Sequence, residues 1–326
     1  MKTKALSKSL KFINTNKNSL IRYGCFLLVI IAFSIATSGK IFNVYNLKVM
    51  TSQTVYLLFC TVGLLFVFAH GSFDISAGAV VAVSSLVCIY MLNANLNVYF
   101  AILMTVVVSA LFYVLNALIA QYMKIISVIS SLAIMFIGRG IATIVVSNAG
   151  DTIRISDFSK IAIFQDYTFM VVSAVIFVII CFVLFDFTKF GYQTKAIGDN
   201  PIAANESGAR VNLIKLLGYL IAGIGVGMAS VFYFGRTGSV SDKTGLGLEM
   251  DIIIALILGG MTLTGGSKSR MSSAIFGTVT YVLLTHGLSM IPSLSSNLIP
   301  IIKGVIFLII IVFTLRAPKS TEELPK

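Results

Sequence analysis

Residues 191–210 read GYQTKAIGDNPIAANESGAR, the longest polar stretch between two apolar segments on the positively charged side of this chain. Within it Asn200 suits the N-cap of a helix, Pro201 suits the first helical position, and Gly208 suits the residue that ends a helix. The residues between them allow fewer than two turns, too few for a helix that is stable in isolation. The stretch therefore predicts a short capped helix that docks on a partner, or else an ordinary helical connector.

The composition indicates a polytopic membrane protein. Hydrophobic residues make up 57% of the 326, charged residues make up 11%, and the mean hydropathy is +0.98, whereas soluble domains are about a quarter charged. The net charge of +12 does not indicate nucleic-acid binding, because six of the Lys and Arg residues precede or open the first apolar segment. The positive-inside rule places such a flank in the cytosol. No A-x-A-like cleavage site follows, so we expect the first apolar run to remain as an uncleaved helix.

Nothing in the sequence indicates chemistry performed by this chain. It contains no Walker A, G-x-S-x-G or H-E-x-x-H motif. His70 and His286 are far apart in sequence. The cysteines have neither metal-ligand spacing nor a disulfide pattern, and all lie in apolar segments: Cys25, Cys60, Cys88 and Cys181. We therefore expect no catalytic residue, no metal, no cofactor and no enzymatic activity.

Runs of apolar residues predict an all-α fold of about ten transmembrane helices. Runs of roughly 17–25 mostly apolar residues are long enough to cross a bilayer. Ten such runs lie near 20–38, 47–69, 75–92, 98–121, 125–146, 167–185, 213–234, 248–264, 272–291 and 298–315. The expected organisation is a basic cytosolic segment at 1–19, a single transmembrane domain at 20–316, and a cytosolic tail at 317–326.

The distribution of cations predicts that both termini are cytosolic. With a cytosolic N-terminus and ten crossings, sixteen Lys and Arg residues fall on the inner side and six on the outer side. Two of the predicted outer loops, 147–166 and 235–249, are long and carry both signs of charge. They could receive a soluble partner from outside, or they could be ordinary solvated loops.

The two halves of the chain resemble each other weakly. FDISAGAVVAVSS at 73–85 and MDIIIALILGGMT at 250–262 each begin with a hydrophobic residue, Asp and Ile, and continue into a span rich in small residues. Internal repeats with interrupted helices are typical of transporters, and the interruptions tend to mark the working centre.

Each half also carries one cation inside a hydrophobic segment, immediately before a glycine. These cations are Arg139 and Lys303. A charge in the bilayer core costs at least a few kcal/mol unless it is paired or hydrated. We therefore predict two pairs, Asp74 with Arg139 and Asp251 with Lys303. They would pin broken helices, or else line a polar path.

From about residue 52 to residue 313 the chain resembles the membrane-spanning permease of bacterial sugar-importing ABC transporters. This is the ribose/galactose-type permease family, which is related to the branched-chain amino acid permeases. The motifs that carry the resemblance, in order, are GSFDISAG (71–78), NALIAQYMKI (116–125), FIGRG (136–140), GYQTKAIGDNPIAANESGARV (191–211), EMDIIIALILGGMTLTGG (249–266) and the IIKGVIFLI run.

The resemblance implies a set of partners and a location. A separate cytosolic ATPase would hydrolyse ATP, an external or periplasmic binding protein would deliver a monosaccharide, and a second permease subunit would complete the path through a bacterial plasma (inner) membrane. The segment 191–211 would be the coupling segment that docks on the ATPase. Its implied site residues are Gly198, Asp199, Asn200, Pro201, Ala203, Ala204, Glu206, Ser207, Gly208 and Arg210.

Other functions remain open at this stage. One is an ABC permease for nucleosides or branched-chain amino acids. Another, of a different class, is a ten-helix secondary transporter, which usually carries an acid at the membrane midplane for proton or sodium coupling. Here the embedded acids lie near the ends of spans. An integral-membrane enzyme ranks third, because the sequence has no paired-acid or metal motif.

Overall fold

The apolar runs of the sequence form a bundle of helices. The computed structural model of the chain describes residues 17–262, 264–292, 294–295 and 298–315. The predictions for the basic segment 1–19 and the tail 317–326 therefore fall almost entirely outside the described residues. Within them the α-helices are α1 Lys17–Ala36, α2 Val44–Ala69, α3 Ala77–Asn93, α4 Val98–Tyr122, α5 Ser127–Asn148, α6 Ala162–Gln165, α7 Tyr167–Asp186, α8 Lys189–Asp199, α9 Pro201–Glu206, α10 Val211–Thr237, α11 Leu248–Leu258, α12 Met271–Ser289 and α13 Leu298–Leu315.

Six of the helices in the described ranges are long and apolar enough to cross a membrane. They are α2, α4, α5, α7, α10 and α12. A helix stands at each of the ten predicted spans, but ten crossings and the cytosolic position of both termini stay predictions. The predicted span 248–264 is helical only over Leu248–Leu258. At 1.5 Å per residue this helix is roughly 16 Å long, about half of a ~30 Å hydrocarbon core.

The related segments of the two halves both contain an interruption, and they enter the bundle from opposite ends. Residues 72–76 are not helical and precede α3, whereas residues 242–247 are a turn that precedes α11. Gly71 lies beside Gly198 at one end of the bundle. From the other end the turn before α11 reaches inward until the carbonyl oxygen of Gly245 meets Gly78 so closely that a Cβ there would overlap it. Only glycine fits at Gly78.

The core lies between α2, α10 and their neighbours, and small residues bring the helices together. A Cβ on Gly223 would lie 2.6 Å from the Cα of Ala110, and one on Gly227 would lie 2.7 Å from the Cα of Val106. Lipid supplies no hydrophobic driving force for helix association, so close packing of the α10 and α4 backbones holds these helices together instead. By contrast, α5 and α7 keep many apolar side chains exposed, as expected for helices that face lipid.

A small antiparallel sheet joins the two predicted outer loops. Strand β1 Thr152–Arg154 pairs with β2 Ser239–Ser241, and Ile153 lies opposite Val240. The sequence analysis predicted only helices, so this sheet is an addition to the all-α class. The sheet lies at one end of the bundle. We call this the outer end, because the topology predicted from the cations places it outside the cell.

Candidate coupling surface and outer cavity

The polar stretch forms two short helices, and its predicted capping is confirmed. The side-chain oxygen of Asn200 accepts hydrogen bonds from the backbone N–H groups of Ile202 and Ala203, at 3.0 and 3.1 Å. Pro201 occupies the first turn of α9, and Gly208 ends the motif with a φ of +87°. The preceding α8, Lys189–Asp199, was not predicted from the sequence; the side chain of Thr188 caps it.

Helix α9 stands out from the bundle. Of its six residues only Ala204 is buried, and it packs with Ile197, Ala209 and Ile214 in a small cluster. Gly198 is half-buried at the base of this element. The other residues implied as contacts are exposed: Asp199, Asn200, Pro201, Ala203, Glu206, Ser207, Gly208 and Arg210. The element is therefore a protruding surface anchored by a few apolar side chains.

A contact between backbones, which we call the glycine junction, ties this surface to the bundle. It consists of Ala69, Gly198 and Gly266. The backbone N–H of Gly266 donates to the carbonyl oxygen of Ala69 at 2.9 Å, and Gly198 lies against both residues. The Asp199 carboxylate also accepts from the backbone N–H of Ser267, at 3.0 and 3.1 Å. Helix α8 is therefore joined by these contacts to the end of α2 and to the loop before α12.

Asp74 is not paired with Arg139, so that prediction is wrong. Asp74 is 1% exposed, and hydrogen bonds from inside the bundle satisfy its carboxyl group. The backbone N–H and hydroxyl of Ser76 each donate to it at 2.9 Å, the amide of Asn116 donates at 2.6 Å, and the Tyr113 hydroxyl donates at 3.4 Å. A carboxyl group with this many donors needs no cation.

Arg139 instead holds the turn before α11. Its two terminal nitrogens donate to the carbonyl oxygens of Thr244 and Gly245, at 2.6 and 2.8 Å. These backbone carbonyl oxygens satisfy hydrogen-bond donors of the planar guanidinium fork. The carboxylate that lies beside the guanidinium is that of Glu249, next to Gly78, and not that of Asp74.

The structure does bring Asp251 and Lys303 together. The Lys303 ammonium lies 3.3 Å from Asp251 Oδ1, and the hydroxyl of Tyr281 donates to the same oxygen. The ammonium also lies 5.2 Å from the centre of the Tyr281 ring, which adds a cation–π contact. Asp251 lies in the first turn of α11, and Lys303 lies in α13.

These residues line a polar cavity at the outer end of the bundle, which we call the outer cavity. Its volume is about 330 Å³. Its walls come from α2, α10, α11, α12 and α13. The lining residues are Gln53, Tyr56, Leu57, Tyr233, Arg236, Thr237, Asp251, Tyr281, Val282, Thr285, His286, Ser289, Ile299 and Lys303. Apart from the ion pair, sequence reasoning missed this site. The signal that could have found it is the presence of Gln53, Thr285 and His286 in apolar helices.

The loops at the outer end form an ordered rim beside this cavity. Asn93 donates to the carbonyl oxygen of Arg154 at 3.1 Å, and Lys160 donates to the carbonyl oxygen of Leu92 at 2.8 Å. Hydrogen bonds from the side chain and backbone N–H of Ser159 lower the pKa of the exposed Asp157. The rim therefore presents fixed charges of both signs.

Comparison with known proteins relates most of the chain to import permeases. The family described as branched-chain amino acid transport system / permease component matches residues 46–315. The chain is 27% identical to the ribose import permease protein RbsC of Escherichia coli (strain K12), over 87% of this chain and 89% of that protein. It is 28% identical to the galactose/methyl galactoside import permease protein MglC of the same strain, over 85% and 90%. It is 24% identical to the fructose import permease protein FruG of Bifidobacterium longum (strain NCC 2705), over 86% of each. No solved structure matches the chain.

Proposed function

Because this chain belongs to the family of branched-chain amino acid transport system permease components, we propose that it is the membrane-spanning subunit of an ATP-binding-cassette importer for a monosaccharide. It is a multi-pass protein of the bacterial inner membrane. The observation that carries the substrate class is that the relatives aligned over most of the chain are ribose, galactose and fructose import permeases. This favours a sugar over a nucleoside or a branched-chain amino acid.

The coupling segment 191–211 docks on a cytosolic ATPase that hydrolyses ATP in a separate chain. Two features support this assignment: α9 protrudes with nearly all of its residues exposed, and the glycine junction ties it to α2 and to the loop before α12. Closure of the ATPase pushes on α9, and the junction passes the displacement to the bundle. No covalent step occurs in this chain.

The remaining partners follow from the same proposal. The ordered outer rim around β1 and β2 receives an external sugar-binding protein, which delivers the solute. A second permease subunit, identical or similar, completes the translocation path. The chain crosses the membrane ten times with both termini in the cytosol, and the short α11 is half of an interrupted crossing.

Replacing residues 201–207 with a Gly/Ser linker is expected to abolish recovery of the ATPase. The exposed helix supplies the docking surface, and a flexible linker cannot transmit force. The measurement is a pull-down of the tagged protein from membranes in mild detergent, with mass spectrometry of the proteins that accompany it. A wild-type protein that purifies alone and takes up sugar in ATP-free proteoliposomes would instead identify a secondary transporter.

Replacing Glu206 and Arg210 together with alanine is expected to weaken ATPase stimulation and uptake while leaving the fold intact. Both side chains are exposed, Glu206 at the end of α9 and Arg210 shortly after it, and they are placed to form polar contacts across the interface. A matched control replaces Asp242 and Lys243, an exposed acid and base at the opposite end, and should leave ATPase recovery unchanged. Wild-type ATPase stimulation in the Glu206/Arg210 double variant would show that these residues do not contact the ATPase.

A further inference from the structure

The two halves of the chain repeat one polar contact at opposite ends of the bundle. In the first half the Tyr113 hydroxyl on α4 donates to Asp74, and in the second half the Tyr281 hydroxyl on α12 donates to Asp251. Each aspartate stands at the start of one of the two related segments, and each tyrosine lies on the next long helix along the chain. The first half therefore serves as an internal reference for the second.

In the first half the contact is sealed. Asp74 is 1% exposed, Asn116 is fully buried, and Tyr113 is 1% exposed. Both carboxyl oxygens accept hydrogen bonds from inside the bundle. This aspartate has a structural role: it holds the non-helical segment 72–76 against α4.

In the second half the same contact is open. The side chain of Asp251 keeps 27% of its surface exposed, and that of Lys303 keeps 23%. Asp251 Oδ1 accepts hydrogen bonds from both the Tyr281 hydroxyl and the Lys303 ammonium. Asp251 Oδ2 accepts no hydrogen bond from the residues that the structure describes. Ionisable groups inside membrane helices are expensive and characteristically mark solute or ion pathways. A purely structural role like that of Asp74 does not explain why the Asp251 carboxylate faces the outer cavity.

Other polar groups of the cavity wall also form no hydrogen bond within the described part of the chain. They are the amide of Gln53 and the hydroxyls of Tyr56 and Tyr233. The rings of the two tyrosines meet edge to face, with centres 5.3 Å apart. The wall therefore combines donors, acceptors and flat apolar surface. A sugar ring complements such a wall, because its hydroxyls lie around its edge and its C–H groups lie on its faces.

We propose that the outer cavity is a solute-binding site of the permease itself, and that it takes one neutral polyhydroxylated ring of monosaccharide size. Asp251 Oδ2 accepts from a hydroxyl of the solute, Lys303 donates to another, and Gln53 does both. This assignment rests on the proposed function, which makes a sugar the transported solute. It adds the place where the sugar binds and the residues that select it.

Volume and charge are consistent with this ligand class. A volume of about 330 Å³ is near the lower end of the roughly 300–1,000 Å³ that small-molecule sites span, which suits a small solute such as a single sugar ring. Asp251 and Lys303 compensate each other at 3.3 Å, so the inner wall carries no net charge from this pair. Arg236 is exposed at the rim. An acidic sugar would place a second negative charge beside Asp251.

The test measures binding to full-length purified permease by equilibrium dialysis, with labelled ribose, galactose and fructose as probes. At least one probe is expected to bind. Asp251→Asn should weaken binding by about tenfold, the loss expected when a charge-assisted hydrogen bond becomes a neutral one. Gln53→Ala, which leaves the ion pair intact, should also weaken it. Asp242→Asn, on the exposed outer loop, should bind like the wild type. Galacturonate, leucine and adenosine should not displace the probe.

A second experiment measures sugar uptake by the permease reconstituted with its ATPase and binding protein. It distinguishes failure of the cavity assignment from failure of the proposed function. Sugar uptake with a raised KM in Asp251→Asn and Gln53→Ala supports the cavity. Sugar uptake with wild-type KM and kcat in both variants overturns the cavity and leaves the proposed function standing. Displacement by galacturonate, leucine or adenosine overturns the ligand class. If no probe sugar binds or is taken up, the proposed function fails and the cavity assignment fails with it.

Discussion

Asp74→Ala is expected to destabilise the folded bundle by about 3–5 kcal/mol, the cost of removing one partner from a buried, hydrogen-bonded network. The substitution leaves four donors without an acceptor at a site that water does not reach: the backbone N–H and hydroxyl of Ser76, the amide of Asn116 and the hydroxyl of Tyr113. The measurements are the apparent Tm in detergent and the amount of protein that assembles in the membrane. Asp74→Asn keeps the shape and one acceptor, so it should fall between the alanine variant and the wild type.

Neutralising Arg139 as well is not expected to restore stability. The guanidinium is bound to the carbonyl oxygens of Thr244 and Gly245 and not to Asp74, so the double variant loses both sets of contacts. Asp251→Ala provides the contrast. It should lower the Tm by less, because the outer cavity lets water reach the groups that lose their partner. Recovery of the Tm in Asp74→Ala/Arg139→Ala would mean that the two residues pair in the membrane.

Gly198→Ala is expected to separate ATP hydrolysis from transport. The added Cβ would overlap the carbonyl oxygen of Ala69 and lie 2.6 Å from the backbone nitrogen of Gly266. Backbone atoms cannot turn aside as a flexible side chain can, so α8 must move away from α2. Overpacking of this kind costs about 1–3 kcal/mol, and it opens the glycine junction through which α9 acts on the bundle. The measurement is the number of sugar molecules taken up per ATP hydrolysed.

The matched control for this variant is Gly140→Ala. Gly140 also lies inside a helix, and a Cβ there would meet no atom within 4 Å, so its only expected effect is the gain of up to about 1 kcal/mol that alanine gives over glycine in a helix. Wild-type coupling and Tm in Gly198→Ala would show that force does not pass through the junction.

The sequence was sufficient to predict the elements whose causes are local. Hydropathy placed a helix at each apolar run, and cap chemistry placed α9 between Asn200 and Gly208. The shortness of α11 could not be predicted from hydropathy, because residues 259–264 are apolar enough to continue a span. Backbone turns with positive φ at Gly260, Gly265 and Gly266 end the helical part.

Side-chain partners were harder to predict than helices, because sequence shows which charges need compensation but not which groups compensate them. Lys303 does find Asp251. Arg139 binds backbone carbonyls of a turn about a hundred residues away in sequence. Every residue has a backbone carbonyl, so residue type does not indicate which one binds Arg139. Asp74 likewise finds neutral donors on α4. The outer cavity depends on five helices meeting, so its residues share no sequence interval.

The β1–β2 ladder has a consequence for how the chain is made. Strand β1 is synthesised before α7 and α10, and β2 follows both of them. Until those helices have been threaded into the bilayer and the second loop has been exported, the backbone groups of β1 that pair with β2 have no strand to pair with. Pairing of Ile153 with Val240 therefore requires that α7 and α10 have both been inserted, whereas α11, α12 and α13 are synthesised only after β2. In a nascent chain truncated before β2, we expect the β1 amides to exchange rapidly with solvent and the strand to be open to proteases.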